Sequence, residues 1–153
     1  MFKLTPLNLP PYALKLKRID EKLYVFDELR KKHLLLTPEE WVRQHWVQHL
    51  CIDKRYPKAL MRIEGGMAIQ GLQRRTDLVV YNNEGHKILL AEFKAPGVKI
   101  NQKTFEQISN YNSQHKIPLL LVSNGLEHYY CRIDFENNGF VFLEELPNYI
   151  HST

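Results

Sequence analysis

Apolar positions along the chain fall into short strand-like runs separated by polar turns, and into two longer stretches where they recur at helical spacing. The first ten or so residues, broken by Pro6, Pro10 and Pro11, read as an extended arm. Leu14 to Arg18 and Lys22 to Phe26 read as two short strands around a polar turn at Asp20 and Glu21. A charged stretch, Asp27 to His33, leads into Leu34, Leu35 and Leu36. Thr37 then offers a helix cap, Pro38 suits the first helical position, and Glu39 and Glu40 favour the positive end of the helix dipole. Val42, Trp46 and Leu50 recur every four residues, so this helix runs to about Cys51 and buries one face.

Three strand-like runs follow: Leu60 to Gln70, interrupted by Gly65 and Gly66, then Thr76 to Tyr81, then Lys87 to Lys94. Asn82 to Gly85 make a turn, which joins the last two as an antiparallel hairpin. A second helix is expected from about Asn101 to His115, with Phe105, Ile108 and Tyr111 or Asn112 on one side and Pro118 beyond its end. Leu119 to Val122 is so continuously apolar that it should be covered on both faces. Asn124-Gly125 is a turn, and weaker strands follow at Tyr129 to Ile133 and Phe140 to Leu143. The order helix, three strands, helix, strand, with extra strands at both ends, predicts a mixed α/β sandwich of one sheet and two principal helices.

Composition narrows the class without deciding the activity. A chain of 153 residues that is 44% hydrophobic and 25% charged has the makings of one globular domain with a core of its own. Within it, residues 1–26 form the arm and first strands, 27–130 the core, and 131–153 the last strands and tail. Cys51 and Cys131 fit no C-x-x-C pattern, which excludes a two-cysteine metal knuckle and a thioredoxin-like pair and suggests a reduced, cytoplasmic setting. No apolar run approaches the approximately 20 residues of a membrane span, and no export signal is visible at the start. Seven histidines are scattered without zinc spacing and are expected mostly at the surface or its boundary. The net charge of +4 is compatible with a polyanionic partner, although clustering of charge is the more telling feature.

Candidate chemistry lies where the strands carry charge. In Leu89-Leu90-Ala91-Glu92-Phe93-Lys94 a carboxylate and an ammonium two residues apart share one face of a strand. If Tyr81 sits opposite Ile88, Asp77 falls opposite Glu92. Two carboxylates with Cβ atoms about 5 Å apart repel unless a cation or proton lies between them. Mg²⁺, which prefers carboxylate and water oxygens and the phosphates of a substrate, answers that need, and Lys94 would face a water or a phosphate oxygen beside it. This is the chemistry of metal-assisted phosphodiester hydrolysis. An acid-x-Lys triplet alone carries little weight, since about one is expected by chance at this composition, and Asp20-Glu21-Lys22 is another. A purely structural Glu92–Lys94 ion pair is the bland alternative.

The order of elements with Asp77, Glu92-x-Lys94 and Gln107-x-x-x-Tyr111 resembles the PD-(D/E)xK nuclease superfamily, and more closely the N-terminal nuclease domain of type I restriction enzyme R subunits. Supporting segments are Thr37 to Gln44, Arg75 to Tyr81, Ala91 to Pro96, Gln107 to Asn112 and the Ser123-Asn124-Gly125 corner, within about residues 27 to 130. The resemblance implies a restriction-endonuclease-like core, αβββαβ, and a Mg²⁺-dependent endonuclease acting on DNA, with Mn²⁺ able to substitute. It implies that Asp77, Glu92 and the backbone carbonyl of Phe93 hold the metal, and that Lys94 orients or deprotonates the attacking water. Gln107 and Tyr111 would help position the site or the DNA near it, and an acid on the first helix would assist the metal. Glu40 is the choice there, with Glu39 and Glu64 as alternatives.

Arg74, Arg75, Lys99 and Lys103 flank these motifs and would contact phosphates. Thr76 stands where the motif name has Pro. The chain holds no G-x-x-x-x-G-K-[ST] loop, so no ATP-driven motor is expected within it. Nucleases of this superfamily often pair two active sites, which implies a homodimer or partner subunits. A non-catalytic nucleic-acid-binding or assembly module of the same fold is the competing reading, and RNA is a competing substrate.

Overall fold

The computed structural model describes residues 4–64, 67–69, 72–74, 77–137 and 139–150; the side chains at 64, 67–69, 72–74, 77, 109–111, 113 and 114 fall outside that description. Strands β1 (Leu16–Ile19), β2 (Lys22–Asp27) and β3 (Lys32–Leu35) form an antiparallel sheet of their own. Asp20 and Glu21 both take positive φ in the two-residue turn between Ile19 and Lys22, the sign that a tight hairpin of primed type requires. Strand β3 departs from the expectation for the charged stretch. Asp27 explains it: its carboxylate accepts the N–H groups of Leu29 and Arg30, closes a turn, and returns Lys32 to Leu35 alongside β2.

Helix α1 (Pro38–Ile52) starts as anticipated, with the Thr37 hydroxyl accepting the Glu40 N–H at 3.1 Å. After a 3-10 turn at Lys58–Leu60 come β4 (Met61–Glu64), β5 (Met67–Ile69), β6 (Leu72–Arg74), β7 (Asp77–Tyr81) and β8 (Lys87–Phe93). The single run expected from Leu60 to Gln70 is thus two strands, β4 and β5, and β6, which the pattern did not predict, pairs with β5 in a separate two-stranded sheet. Helix α2 (Gln102–His115) carries a capping box between Asn101 and Thr104. At its other end the buried Asn112 amide both donates to and accepts from the Ile117 backbone, and Lys116 takes the left-handed conformation. Strands β9 (Leu119–Ser123), β10 (His128–Asp134) and β11 (Gly139–Leu143) complete the chain.

The main sheet has six strands in the order β11-β10-β9-β8-β7-β4, with β8 and β9 parallel across the α2 crossover and the other neighbours antiparallel. Among the described residues the one sheet predicted from the pattern is therefore three. Val42, Trp46, Val47 and Leu50 of α1 pack with Leu78, Val80, Leu89, Ala91, Phe93 and Leu121 on one face. Ile108 of α2 packs with Val79, Leu90, Leu120 and Val122 on the other. Strand parity alone assigns the layers, which is why β8 and β9 lack an alternating pattern: both of their faces are covered. Among the described residues, no helix is long and apolar enough to cross a membrane.

The arm at residues 4–12 lies along this framework. The Trp41 indole donates to the Thr5 carbonyl at 2.8 Å, and the Asn8 N–H donates to the Gly125 carbonyl at 2.8 Å. Gly125 has φ +86°, and a Cβ there would come 2.7 Å from Leu7 Cδ2 and 3.1 Å from Val42 Cγ2. Gly125→Ala should therefore lower unfolding stability by about 1–3 kcal/mol in urea titrations, from the strained conformation together with the arm it displaces. A change within a few tenths of a kcal/mol would mean that neither constraint operates.

Candidate active site

Glu92 lies near the end of β8 and is only 6% exposed. Parity places it with Leu90 on the α2 side, whereas Ala91 and Phe93 face α1. The Lys94 ammonium, 31% exposed, stands 3.1 Å from Glu92 Oε1. Lys94 is past the end of β8, yet its backbone stays in the ladder because its N–H donates to the Ser123 carbonyl at 2.9 Å. The structure thus brings Glu92 and Lys94 together as their spacing implied, with the amine reaching solvent rather than closed behind a wall.

Strands β7 and β8 pair Leu78 with Ala91, Val79 with Leu90 and Val80 with Leu89. One residue further along each strand stand Asp77 and Glu92, the juxtaposition anticipated from the sequence. The register assumed at the far end is corrected: a bulge after Val80 sets Tyr81 opposite Lys87 instead of Ile88. The irregularity stops short of the Leu78–Ala91 rung beside the motif, which keeps the expected register. On the other side of β7, Glu64 of β4 is the register partner of Asp77. Three acidic positions therefore follow one another across β4, β7 and β8, at the end of the sheet where Lys94 stands.

Gln107 is an exposed residue of α2, the helix on the Glu92 side of the sheet, and Tyr111 belongs to the same helix with its side chain outside the described residues. Lys103, in the first turn of α2, and Lys99, in the loop before it, are both exposed. That loop is fastened by the buried Asn124, whose amide donates to the Val98 carbonyl at 2.9 Å. Arg74 ends β6, while Arg75 and Thr76 lie outside the described residues. Among the described residues no three His, Cys, Asp or Glu side chains form a metal-binding group; the side chains of Glu64 and Asp77 fall outside that count. A shallow cavity of about 630 Å³ bounded by Ala59, Arg62, Tyr81, Asn82 and Asn83 lies at the opposite end of β7 from Asp77 and holds none of these residues.

Glu40 occupies a different setting, on the helix that covers the other face of the sheet. Its carboxylate accepts from Arg30 at 2.9 Å, from Gln44 at 3.2 Å and from Arg43. Glu39 accepts from Arg43 at 3.1 Å. Gln44 also donates to Asp27 at 3.2 Å, so the cluster joins the N-terminal sheet to the start of α1. Arg30 and Arg43 give Glu40 its compensation within the protein, and no part of the Glu92–Lys94 pair is needed for it. Arg43 lies one helical turn from Glu40, whereas sequence spacing did not reveal Arg30, which is ten residues away and becomes a neighbour only through the Asp27 turn.

Several polar residues near the strand ends were not singled out by sequence. Ser123, fully buried at the end of β9, accepts from the Trp46 indole at 2.8 Å and from the Gly125 N–H at 2.9 Å, and stands 2.7 Å from His128 Nδ1. A hydroxyl residue closing the run Leu119 to Val122 was the available signal. His45 is buried, an exception to the histidines expected at the surface or its boundary, while His128 is half-buried as expected; burial pushes the pKa of each down.

A family model described as type I restriction enzyme R protein N terminus (HSDR_N) matches residues 38–147. The match covers most of the chain, from the first residue of α1 to just beyond β11, and the chain belongs to that family. Among curated proteins, none matches the sequence.

The Asp27 cluster has a measurable signature in acid. Burial alone would raise the Asp27 pKa, but hydrogen bonds from the Arg30 backbone and guanidinium, with that group's charge, outweigh it and hold the carboxyl below its ordinary value. A carboxylate with a depressed folded pKa stabilises the fold above about pH 4, and that stability is lost as pH falls through the folded value. Asp27→Asn should lower stability at pH 7 by about 1–3 kcal/mol and flatten the decline between pH 5 and 2 in denaturant titrations. An unaltered acid profile would show that Asp27 does not contribute to it.

Proposed function

We propose that this chain is a Mg²⁺-dependent endonuclease that hydrolyses DNA phosphodiester bonds, built on a restriction-endonuclease-like core of α1, β4, β7, β8, α2 and β9 in a single domain over residues 1–153. The observation that carries the reading is the Glu92–Lys94 pair at 3.1 Å on a strand whose neighbour begins at Asp77, in a member of a restriction-enzyme R protein family. A buried carboxylate and an ammonium at a sheet end are costly to keep unless the site uses them.

In this reading Asp77, Glu92 and the Phe93 carbonyl hold the cation, an oxygen donor set that suits Mg²⁺ and accepts Mn²⁺. A bound divalent cation supplies Lewis-acid stabilisation of the phosphate and helps activate water at neutral pH. Lys94 orients the attacking water and offsets negative charge as the phosphorus becomes five-coordinate. Gln107 and Tyr111 position the scissile strand from α2. Arg74, Arg75, Lys99 and Lys103 hold the phosphates on either side, giving affinity without sequence preference. Glu64, the register partner of Asp77, is better disposed than Glu40 to assist the cation, since Glu40 already has Arg30 and Arg43. Cutting both strands calls for a second copy or partner subunits, and the setting is cytoplasmic.

The alternative is a non-catalytic nucleic-acid-binding or assembly module, favoured by the same close Glu92–Lys94 contact read as a structural ion pair. Plasmid nicking separates the two. The wild-type chain should nick supercoiled DNA with Mg²⁺ or Mn²⁺ and not with EDTA, and Asp77→Ala and Lys94→Ala should each lower the rate by at least about 10²-fold. Absence of metal-dependent nicking, or equal nicking by the variants, favours the binding module.

A further inference from the structure

We propose that His128 is a positioning residue for the strand that carries Glu92 and Lys94, acting through Ser123, and that the same histidine seats the N-terminal arm. The importance of that strand for catalysis rests on the nuclease reading; the positioning itself does not.

The hydrogen bonds around Ser123 fix every proton in the network. A serine hydroxyl has one hydrogen to give and two lone pairs to receive. Both lone pairs are taken, by the Trp46 indole N–H at 2.8 Å and the Gly125 N–H at 2.9 Å. The single hydrogen must then go to His128 Nδ1 at 2.7 Å, which makes Nδ1 the bare nitrogen of a neutral ring. The ring proton sits on Nε2 and is donated to the Asn8 carbonyl at 2.8 Å. One histidine tautomer satisfies both sides.

Each arm of the network ends on something that matters. Ser123 pairs with Phe93 across the parallel ladder, and its carbonyl receives the Lys94 N–H at 2.9 Å. Trp46, fully buried, lies nearly parallel to the Phe93 ring at 6.3 Å between centroids. Together they hold the Phe93–Lys94 backbone from the sheet and from α1. Asn8, gripped by His128 on one side and Gly125 on the other, fixes the arm to the same turn.

A proton arriving at Nδ1 would place two donors face to face, His128 N–H and Ser123 O–H, against an oxygen with no lone pair left. One of the three bonds at Ser123 must break, which loosens the residue whose carbonyl receives the Lys94 N–H and the Gly125 turn that receives the Asn8 N–H, although the charged ring still donates Nε2–H to the Asn8 carbonyl. Among the described residues the ionisable group that bears on His128 is His49 of α1; Glu127, beside it in the chain, acts on it through its backbone. His49 is engaged by Tyr12 at 2.8 Å and by Asp53 at 2.9 Å, while Glu127 accepts from the Tyr129 hydroxyl at 3.2 Å. Burial opposes protonation of His128 most strongly and outweighs the Asn8 carbonyl, which favours it; positive charge on His49 adds to the opposition.

Hydrogen exchange on the full chain reads both ends, at the Asn8 and Lys94 amides. In the wild type the protection of the two should fall together, by about tenfold or more, as pH is lowered from 7.5 to 5 through and below the ordinary histidine value of about 6.5. In His128→Gln, whose amide accepts from Ser123 and donates to Asn8 without titrating, both should stay protected over that range. His128→Ala should leave both weakly protected at every pH; if it fails to fold, the wild-type and Gln series decide alone. Loss of protection at Asn8 with Lys94 unchanged, or a Gln variant that follows the wild type, would overturn the proposal. Nicking assays on the same samples keep the two readings apart. Linked protection without nicking removes the nuclease reading and leaves the positioning role standing, whereas nicking with unlinked protection does the reverse.

Discussion

A carboxylate held at 6% exposure near the end of an apolar strand must find compensation, and the surroundings of Glu92 are arranged around that requirement. Taking a charge out of water costs several kcal/mol even after relaxation, so it persists only beside opposite charge, donors or a cation. Lys94 supplies opposite charge at 3.1 Å while remaining partly in water. The pair meets because β8 keeps its parity for one residue beyond its end, through the Lys94 bond to Ser123. Without that extension the ammonium would have no fixed relation to the carboxylate.

The two helices support the strand in different ways. Helix α1 offers Trp46 and the apolar face that packs beneath Ala91 and Phe93, and its first turn is tied to the N-terminal sheet by Asp27, Arg30, Glu40, Arg43 and Gln44. Charge is concentrated there but is matched within the protein. Helix α2 covers Val79, Leu90 and Val122, and brings Gln107 to the layer in which Glu92 lies. Carboxylates of α1 enclosed by arginines, and a carboxylate of β8 whose partner amine is partly open to solvent, have unequal chemical prospects.

Much of this was legible in the sequence because local rules and tertiary context agree. The Thr37 cap, the Asn101 helix start and the apolar run at Leu119 each settle an element without help from distant residues. The juxtaposition of Asp77 and Glu92 followed from parity, which survives a small error at the turn: the bulge at Tyr81 changed the pairing there and left the rung at Leu78 intact. What escaped was non-local. Strand β3 depends on a side chain capping a turn, the separate small sheets depend on which edges find partners, and Glu40 acquired Arg30 as a partner through chain reversal at Asp27. Ser123 and His128 are near neighbours in sequence, but the joining of Asn8, Trp46 and Lys94 around them is a property of the folded chain. Membership in the restriction-enzyme R protein family was anticipated because its motifs fall on the strands and helix that parity and capping define.

The central claim, that Asp77 and Glu92 together form a seat for one divalent cation, is tested most directly by Mn²⁺ binding to the full chain, followed by electron paramagnetic resonance in the absence of DNA. One Mn²⁺ per chain is predicted, displaced by Mg²⁺ and lost in both Asp77→Asn and Glu92→Gln while circular dichroism shows the fold retained. A wild-type chain that binds no Mn²⁺, or variants that bind it undiminished, would contradict the account.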